Sequence, residues 1–559
     1  MKPWRLRRPL PPGPEPWARL ARAADLDPRA ARLAWLRGVD TLEALDWRLD
    51  PAWSRTTDPF LLPGVGPAVT RIRGAITRGE PILVYGDYDV DGVTACALLL
   101  RVLDRLGARA DFFIPNRFSD GYGLHLDCIR ELREARGPGL MVSVDCGVRS
   151  VHEVRVSRDL GVDWIVTDHH ALGPELPEAS AVVHPHLEGY GNPALSGVGV
   201  AFKLAQALLD AAPVPRGPDA AFLDGLLKLV ALGTVADMVP LAGENATLVK
   251  RGLQALAGAN APGVAALLRA ARIEGGPVRA QDIAFGVAPR LNAVGRMGGA
   301  EDAVRLLLAR DAAEAERLMA RVEALNAERR GIQRDLVDSL APPDGAAFDL
   351  VVDPSAHKGV LGIVAGQRMR RSGRPTAVCT VQDGLAQCSL RAPEGFDLGP
   401  LLDLARPFLA SGGGHRAAAG MTFEVARLAF VRQALLRGAE AQAVAAGPAV
   451  LGVDGARLDV IPGPDDLARL EPFGQGFPPP VVALSGLLEG PPRRFGAGHL
   501  KLGLQGEAEP LTWFSPPEET GALGPGAPLR VAVSPQDHPR WGRGWIVEGP
   551  LGEPFEEAP

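Results

Sequence analysis

Residues 84–92, VYGDYDVDG, place Asp87, Asp89 and Asp91 at alternate positions directly after an apolar run. Carboxylates that close raise one another's pKa and cost stability, so the chain must fold into something that uses the crowding. Two further short apolar runs end the same way, LMVSV before Asp145 and DWIVT before Asp168, His169 and His170. Helical segments such as VTACALLLRVLDRLG and VRSVHEVRVSRDLG separate the runs. Short Val/Ile/Leu runs alternating with helices predict a parallel sheet covered on both faces. In such a sheet the strand C-termini share one edge, where ligands bind. Acids and histidines far apart in sequence therefore converge there.

A single Asp after a strand is usually a helix N-cap, and a lone histidine is usually a satisfied surface or core residue. Three acid-bearing strand ends with an adjacent Asp-His-His triplet go beyond capping. A divalent cation removes the repulsion, and carboxylates mixed with imidazole suit Mn2+, with Mg2+ as second choice and zinc less well matched. Two ions roughly 3.5 to 4 Å apart, sharing one carboxylate, would support in-line attack of water on a phosphate.

The 559 residues are enough for about three or four compact units, and 46% hydrophobic with 23% charged residues is the balance of a soluble globular protein. The expected division is an N-terminal helical appendage at 1–50, a catalytic α/β domain at 51–300 and connecting helices at 301–343. A smaller α/β domain follows at 344–447. Short alternating strands between Pro/Gly turns, HLKLGLQ and RVAVS among them, predict a β-barrel at 448–559. No run approaches the roughly 18 apolar residues of a membrane span, and the start MKPWRLRRPLPPGPEPW lacks the apolar core of a signal peptide. A cytoplasmic protein with no membrane partner is expected. Five cysteines, Cys96, Cys128, Cys146, Cys379 and Cys388, with no CxxC pair, predict neither a disulfide framework nor a thiolate zinc site. The net charge of -6 argues against a uniformly basic nucleic-acid coat and leaves a local groove open.

Two glycine motifs invite over-reading. PGVGPAVTRIRGAI mimics half of a helix-hairpin-helix, but no second copy accompanies it, and it reads as a Gly-rich helix start. GVGVAF, at Gly197 and Gly199, looks like a dinucleotide loop yet does not directly follow a strand and lacks the third glycine, so no such cofactor is expected.

The segments YGDYDVDG, IPNRFSDGYGL, VDCGV, TDHH, SGVGVAFKLAQAL, LVALGTVADMVPL, PRLNAVGRMG, HKGVLGIVAG, SLRAPEGFDL, SGGGHRAAAG and PFGQGFPPP together resemble the DHH phosphoesterase superfamily. The triplet Asp168, His169 and His170 carries its name. Within it the chain is most similar to the bacterial single-strand-specific 5′ to 3′ exonucleases of DNA recombination and repair, over most of residues 50–515. The resemblance implies a DHH domain, a long connecting helix, a DHH-associated domain and an oligonucleotide-binding (OB) barrel. It implies metal ligands at Asp89, Asp91, Asp145, His169 and Asp237, with Asp145 as the bridge between two Mn2+ ions. Many DHH relatives have a histidine where this chain has Tyr85, and the DYDxDG form implies that Asp87 takes its place. His170 would face the phosphate as an acid or electrostatic stabiliser, and Asp168 would orient the histidines.

In the DHH-associated domain, Gly413 and Gly414 would let backbone N–H groups approach a phosphate, aided by the positive end of a following helix. His415 would donate to the same phosphate, with Arg296, Ser389 and Arg391 as clamps. The implied substrate is single-stranded DNA, with a single-strand-binding protein and a RecQ-type helicase as partners. Relatives can carry a further C-terminal domain after the barrel, and this chain stops soon after it, at EPFEEAP, so a shortened chain is one expectation. The alternative is a DHH phosphodiesterase acting on short oligonucleotides or cyclic dinucleotides. The barrel and the size favour a polymer. A non-catalytic scaffold of the same lineage would have lost its acids, and every one is present here.

Overall fold

The computed structural model describes residues 2–209, 217–258, 260–446, 451–496, 498–514, 516, 523–538 and 542–554. The expected boundary at 447/448 and the last five residues lie outside them. The chain divides into two compact units, one formed by residues 3–322 with 452–559 and one by 323–451.

In the first unit, strands β1 (Ile82–Tyr85), β2 (Ala110–Phe113), β3 (Leu140–Val144), β4 (Asp163–Thr167) and β5 (Ala181–Val183) form a wholly parallel sheet. Their order is β2-β1-β3-β4-β5. Every residue of β1 and β3 is buried, which is why these runs are apolar without alternation. The chain leaves β1 toward one edge and fills the other from β3 onward, so the switch point between them opens a crevice at the strand C-termini. Asp87 to Asp91 follow β1, and Asp145 follows β3.

Five helices of this unit bear on the site: α1 (Val65–Thr77), α2 (Val90–Arg105), α3 (Gly197–Leu208), α4 (Gly217–Asp237) and α5 (Gly243–Leu256). The PGVG segment is the start of α1. Gly64 adopts φ 83°, and a Cβ there would collide with the Val182 carbonyl. Its likeness to a DNA motif follows from this packing need.

The first fifty residues differ from a separate helical appendage. Lys2–Leu6 is a strand, and it joins an eight-stranded sheet whose other strands come from residues 451–554. Leu20, Leu33 and Leu45, from the three helices that follow, share one core with Leu484, Val531 and Trp545. Arg37 seals the junction with two hydrogen bonds to the buried Asp454 carboxylate, at 2.7 and 3.0 Å.

The helices Glu301–Leu308 and Ala312–Ser339 follow the catalytic domain, and the second runs on into the second unit. That unit holds strands β6 (Asp349–Val352), β7 (Thr376–Gln382), β8 (Leu385–Arg391), β9 (Ser411–Gly414) and β10 (Ala418–Glu424), in the order β9-β10-β8-β7-β6. Only β6 and β7 are parallel; the other pairs are antiparallel. Two expectations are corrected here. No helix follows the SGGGHRAAAG glycines: the segment is a β-hairpin, because AAGMTFE alternates buried and outward residues at strand period and pairs with β8. The absence of disulfides is also overturned. Cys379 and Cys388 stand opposite one another on β7 and β8 and are bonded, a pairing set by hairpin register and invisible to a search for CxxC spacing.

Asp454→Ala leaves the Arg37 guanidinium buried without its counter-charge. We expect a loss of about 3–5 kcal/mol of stability, measured by urea denaturation followed through tryptophan fluorescence.

Candidate active site

Asp89 caps α2, accepting hydrogen bonds from the backbone N–H groups of Asp91 and Gly92 at 2.9 and 3.2 Å. The ordinary role of an acid after a strand is thus filled, and it fixes Asp89 beside its neighbours. Asp91 lies one residue into the helix, 1% exposed, and α3 approaches it end-on. The N–H groups of Gly197 and Val198 donate to its two oxygens at 2.6 and 2.9 Å. This is anion binding at a helix N-terminus, with the anion supplied by the protein. A Cβ on Gly197 would lie 2.5 Å from Asp145 Oδ1, so the GVG turn exists to bring α3 against two carboxylates. Sequence reading dismissed GVGVAF as a cofactor loop and missed this role.

Asp145, 2% exposed, sits in the left-handed region at φ 63°. This conformation, uncommon for non-glycine residues and tolerated by aspartate better than by most, turns its carboxylate off the end of β3 into the crevice. Asp237, the last residue of α4, comes in from the other side. His169 Nε2 lies 3.1 Å from Asp145 Oδ1, 3.6 Å from Asp237 Oδ2 and 3.8 Å from Asp91 Oδ2. Candidate ligand atoms fall into three groups, each within 4.8 Å: Asp87, Asp89 and Asp145; Asp91, His169 and Asp237; Asp145, His169 and His170. All six expected ligands are brought together.

The electrostatics of the protein alone do not balance. Burial, then the mutual charge of the acids, pushes Asp87, Asp91 and Asp145 well above the usual carboxylate range. Burial and the neighbouring Asp89 raise Asp237 to about 6. Desolvation, with the charge of His170, drops His169 to about 3, so its ring is neutral. Asp87 Oδ1, Asp145 Oδ1, Asp237 Oδ2 and His169 Nε2 are all buried without a hydrogen-bond partner. Orphaned buried oxygens and an orphaned imidazole nitrogen facing one crevice are the donor set a divalent cation fits.

Asp168 belongs to none of these three groups. Its carboxylate accepts hydrogen bonds from the N–H groups of Val148, His169 and His170 at 3.0, 2.7 and 3.1 Å, and from His170 Nδ1 at 2.8 Å. Burial alone would raise its pKa, but the His170 ring and these N–H groups outweigh that and hold it at about 2. For His170, desolvation is overcome by Asp168, and the ring is lifted to about 9. Tyr122, unnoticed in the sequence, places its hydroxyl 3.0 Å from the same Nδ1 and 3.4 Å from the Asp145 carbonyl. Both contacts engage the Nδ1 of the ring.

Arg296, at the end of helix Ala288–Arg296, is close enough to Tyr88 for its charge to act on that phenol. The Arg117 guanidinium lies 5.1 Å from the Tyr88 ring centre, a second cation beside Asp87 that the sequence reading did not single out. The remaining expected phosphate ligands lie in the second unit. Ser389 and Arg391 share a face of β8, 3.2 Å apart, beside Gly362. Gly413 pairs with Gly420, which pairs with Ser389, so the glycine strand stands two strands from them. Exposed His415 forms the hairpin turn.

Family models match in three places: the DHH family N-terminal domain at residues 81–234, the DHHA1 domain at 345–439 and the RecJ OB domain at 463–542. The chain is 36% identical to the single-stranded-DNA-specific exonuclease RecJ of Bacillus subtilis strain 168 over 548 residues, covering 94% of this chain and 68% of that protein. It is 37% identical to the protein of the same name from Thermus thermophilus, covering 91% and 73%. The chain belongs to the RecJ family. Among solved structures it resembles RecJ in complex with Mn2+ from Thermus thermophilus, with a TM-score of 0.81 at 31% identity, covering all of this chain and 80% of that one. The Mg2+ complex from the same organism matches with a TM-score of 0.75 at 30% identity, covering 100% and 79%.

In this RecJ-family chain, Gly197→Ala should push α3 away from Asp91 and Asp145. We expect Mn2+ affinity to fall by about 10- to 100-fold, measured by electron paramagnetic resonance of free Mn2+, while the protein remains folded by circular dichroism.

Proposed function

We propose that this chain is a single-stranded-DNA-specific exonuclease that removes nucleotides in the 5′ to 3′ direction, in DNA recombination and repair. One observation carries the reading: orphaned acid and imidazole atoms converge at the switch point of a RecJ-family sheet. Asp87, Asp89, Asp91, Asp145, His169 and Asp237 would hold two Mn2+ ions, or Mg2+ in their place. Asp145 and His169 each belong to two of the three ligand groups, and the Asp145 carboxylate, with two oxygens, would be the one shared. When bound, the ions supply Lewis acidity to the phosphodiester and to the attacking water.

The chain's own residues do the rest. Asp168 keeps the His170 ring oriented and protonated, so that Nε2–H offers a charged donor to a phosphate oxygen as negative charge develops. Arg296 adds positive charge at the crevice. In the second unit, Ser389, Arg391, His415 and the backbone of Gly413 and Gly414 are the phosphate-holding set. In the segment matched to the RecJ OB domain, Phe495, His499 and Phe514 pack edge to face, with ring centres 5.2 to 6.3 Å apart. Arg493, Arg494 and Lys501 lie on the same small hairpin. Aromatic faces among cations suit unpaired bases and their phosphates. A single-strand-binding protein and a RecQ-type helicase are the partners this reading brings with it, in the cytoplasm. Among the described residues no helix is long and apolar enough to cross a membrane.

The deciding experiment is digestion of end-labelled single and double strands across a panel of divalent metals. Mn2+-dependent release of mononucleotides from 5′ ends of single strands is expected, and a strong preference for a dinucleotide overturns the reading. Asp145→Ala should abolish cleavage, checked at saturating Mn2+. Phe514→Ala should weaken binding of long single strands by about 1–3 kcal/mol, in a titration that leaves the shortest substrates unchanged.

A further inference from the structure

We infer that the turn PFGQGF, residues 472–477, fastened by Arg48, is positioning apparatus for Asp237, an inference that rests on Asp237 being a metal ligand. Asp237 ends α4, and the next residue, Met238, turns out of the helix at φ 62°, 69% exposed. Between there and α5 the chain has neither helix nor strand. A ligand at the end of an unsupported loop would wander by more than a metal tolerates.

Support comes from two sides. On one, Asn245 of α5, 1% exposed, donates to the Pro240 carbonyl at 3.1 Å and to the Ala194 carbonyl at 2.6 Å. Ala194 lies three residues before Gly197, so Asn245 joins the turn that carries Asp237 to the turn that grips Asp91. On the other side stands PFGQGF. The Leu241 N–H donates to the Gln475 carbonyl at 2.8 Å. A Cβ on Gly474 would lie 2.7 Å from Leu241 Cδ1, and one on Gly476 would lie 3.2 Å from Pro240 Cβ with φ at 74°. The glycines let one loop lie flat on the other.

Arg48 holds the pair closed. It is 2% exposed, and its guanidinium lies 3.3 Å from the Phe477 ring centre. It donates to the Leu241 carbonyl from one nitrogen, and to the Leu470 and Pro472 carbonyls at 3.2 and 2.9 Å from another. A buried guanidinium is retained at a site where its fork spans several carbonyls at once. Here it spans the Asp237 loop and the PFGQGF turn, which sits inside the segment matched to the RecJ OB domain.

The test uses the full chain and reads Mn2+ affinity by electron paramagnetic resonance, with kcat and KM on a short single strand. Gly474→Leu and Arg48→Met should weaken Mn2+ binding by about 10-fold or more. Saturating Mn2+ should restore kcat, which general unfolding would not allow. Gly476→Ala, a milder intrusion, should move affinity in the same direction, and it decides the matter if the larger changes do not fold. Gly490→Leu, in open space in the same segment, should bind Mn2+ as the parent does. Parental Mn2+ affinity in folded Gly474→Leu and Gly476→Ala overturns the inference, provided Asp237→Asn has lost affinity. Parental affinity in Asp237→Asn refutes the ligand assignment itself.

Discussion

Negative oxygens packed at the β1/β3 switch point set the terms for everything around them. Two unit charges 4 Å apart repel by about 4 kcal/mol at an effective dielectric constant of 20, and five carboxylates meet in this crevice. The fold answers with backbone N–H groups. Asp89 receives two from its own helix, Asp91 two from α3, and Asp168 three from its own turn and the loop after β3. These bonds are directional, and they leave a pattern. The atoms that remain unpartnered, Asp87 Oδ1, Asp145 Oδ1 and Asp237 Oδ2, belong to the groups clustered around the crevice. The protein satisfies what points outward and reserves what points inward.

That division separates the two halves of the DHH triplet. His169 is a neutral ring among acids, whereas His170, one residue on, is a charged ring held by Asp168. The two rings lie side by side, centres 4.5 Å apart, and the bond between His170 Nδ1 and Asp168 is what sets them apart. The strained φ of Asp145 does similar work, letting one strand end contribute both a carboxylate to the crevice and a carbonyl for Tyr122.

The sheet and the convergence of acids at its edge were legible because both follow from local rules, whereas Asp237 came only with the family resemblance. Buried parallel strands are apolar runs, and residues after them share an edge, so Asp89, Asp91, Asp145 and His169 could be placed together without coordinates. What escaped depends on partners far along the chain. Nothing near Gly197 says that a carboxylate a hundred residues earlier will sit against it. The AAGMTFE stretch is weak as either helix or strand until β8 pairs with it. Cys379 and Cys388 become neighbours only through the register of the β7/β8 hairpin. Arg48, a lone arginine on a short helix, gives no hint of the three carbonyls it will meet.

The shared core of the two chain ends has a consequence for synthesis. Leu20, Leu33 and Leu45 leave the ribosome hundreds of residues before Leu484, Val531 and Trp545, with which they share a core. At about 5–20 residues per second, the early helices wait roughly 20 to 100 s for their other half. Through that interval their apolar faces stand open on a tethered nascent chain, a period in which a holdase chaperone would find its target. Closure of this core therefore waits on translation of residues 451–554.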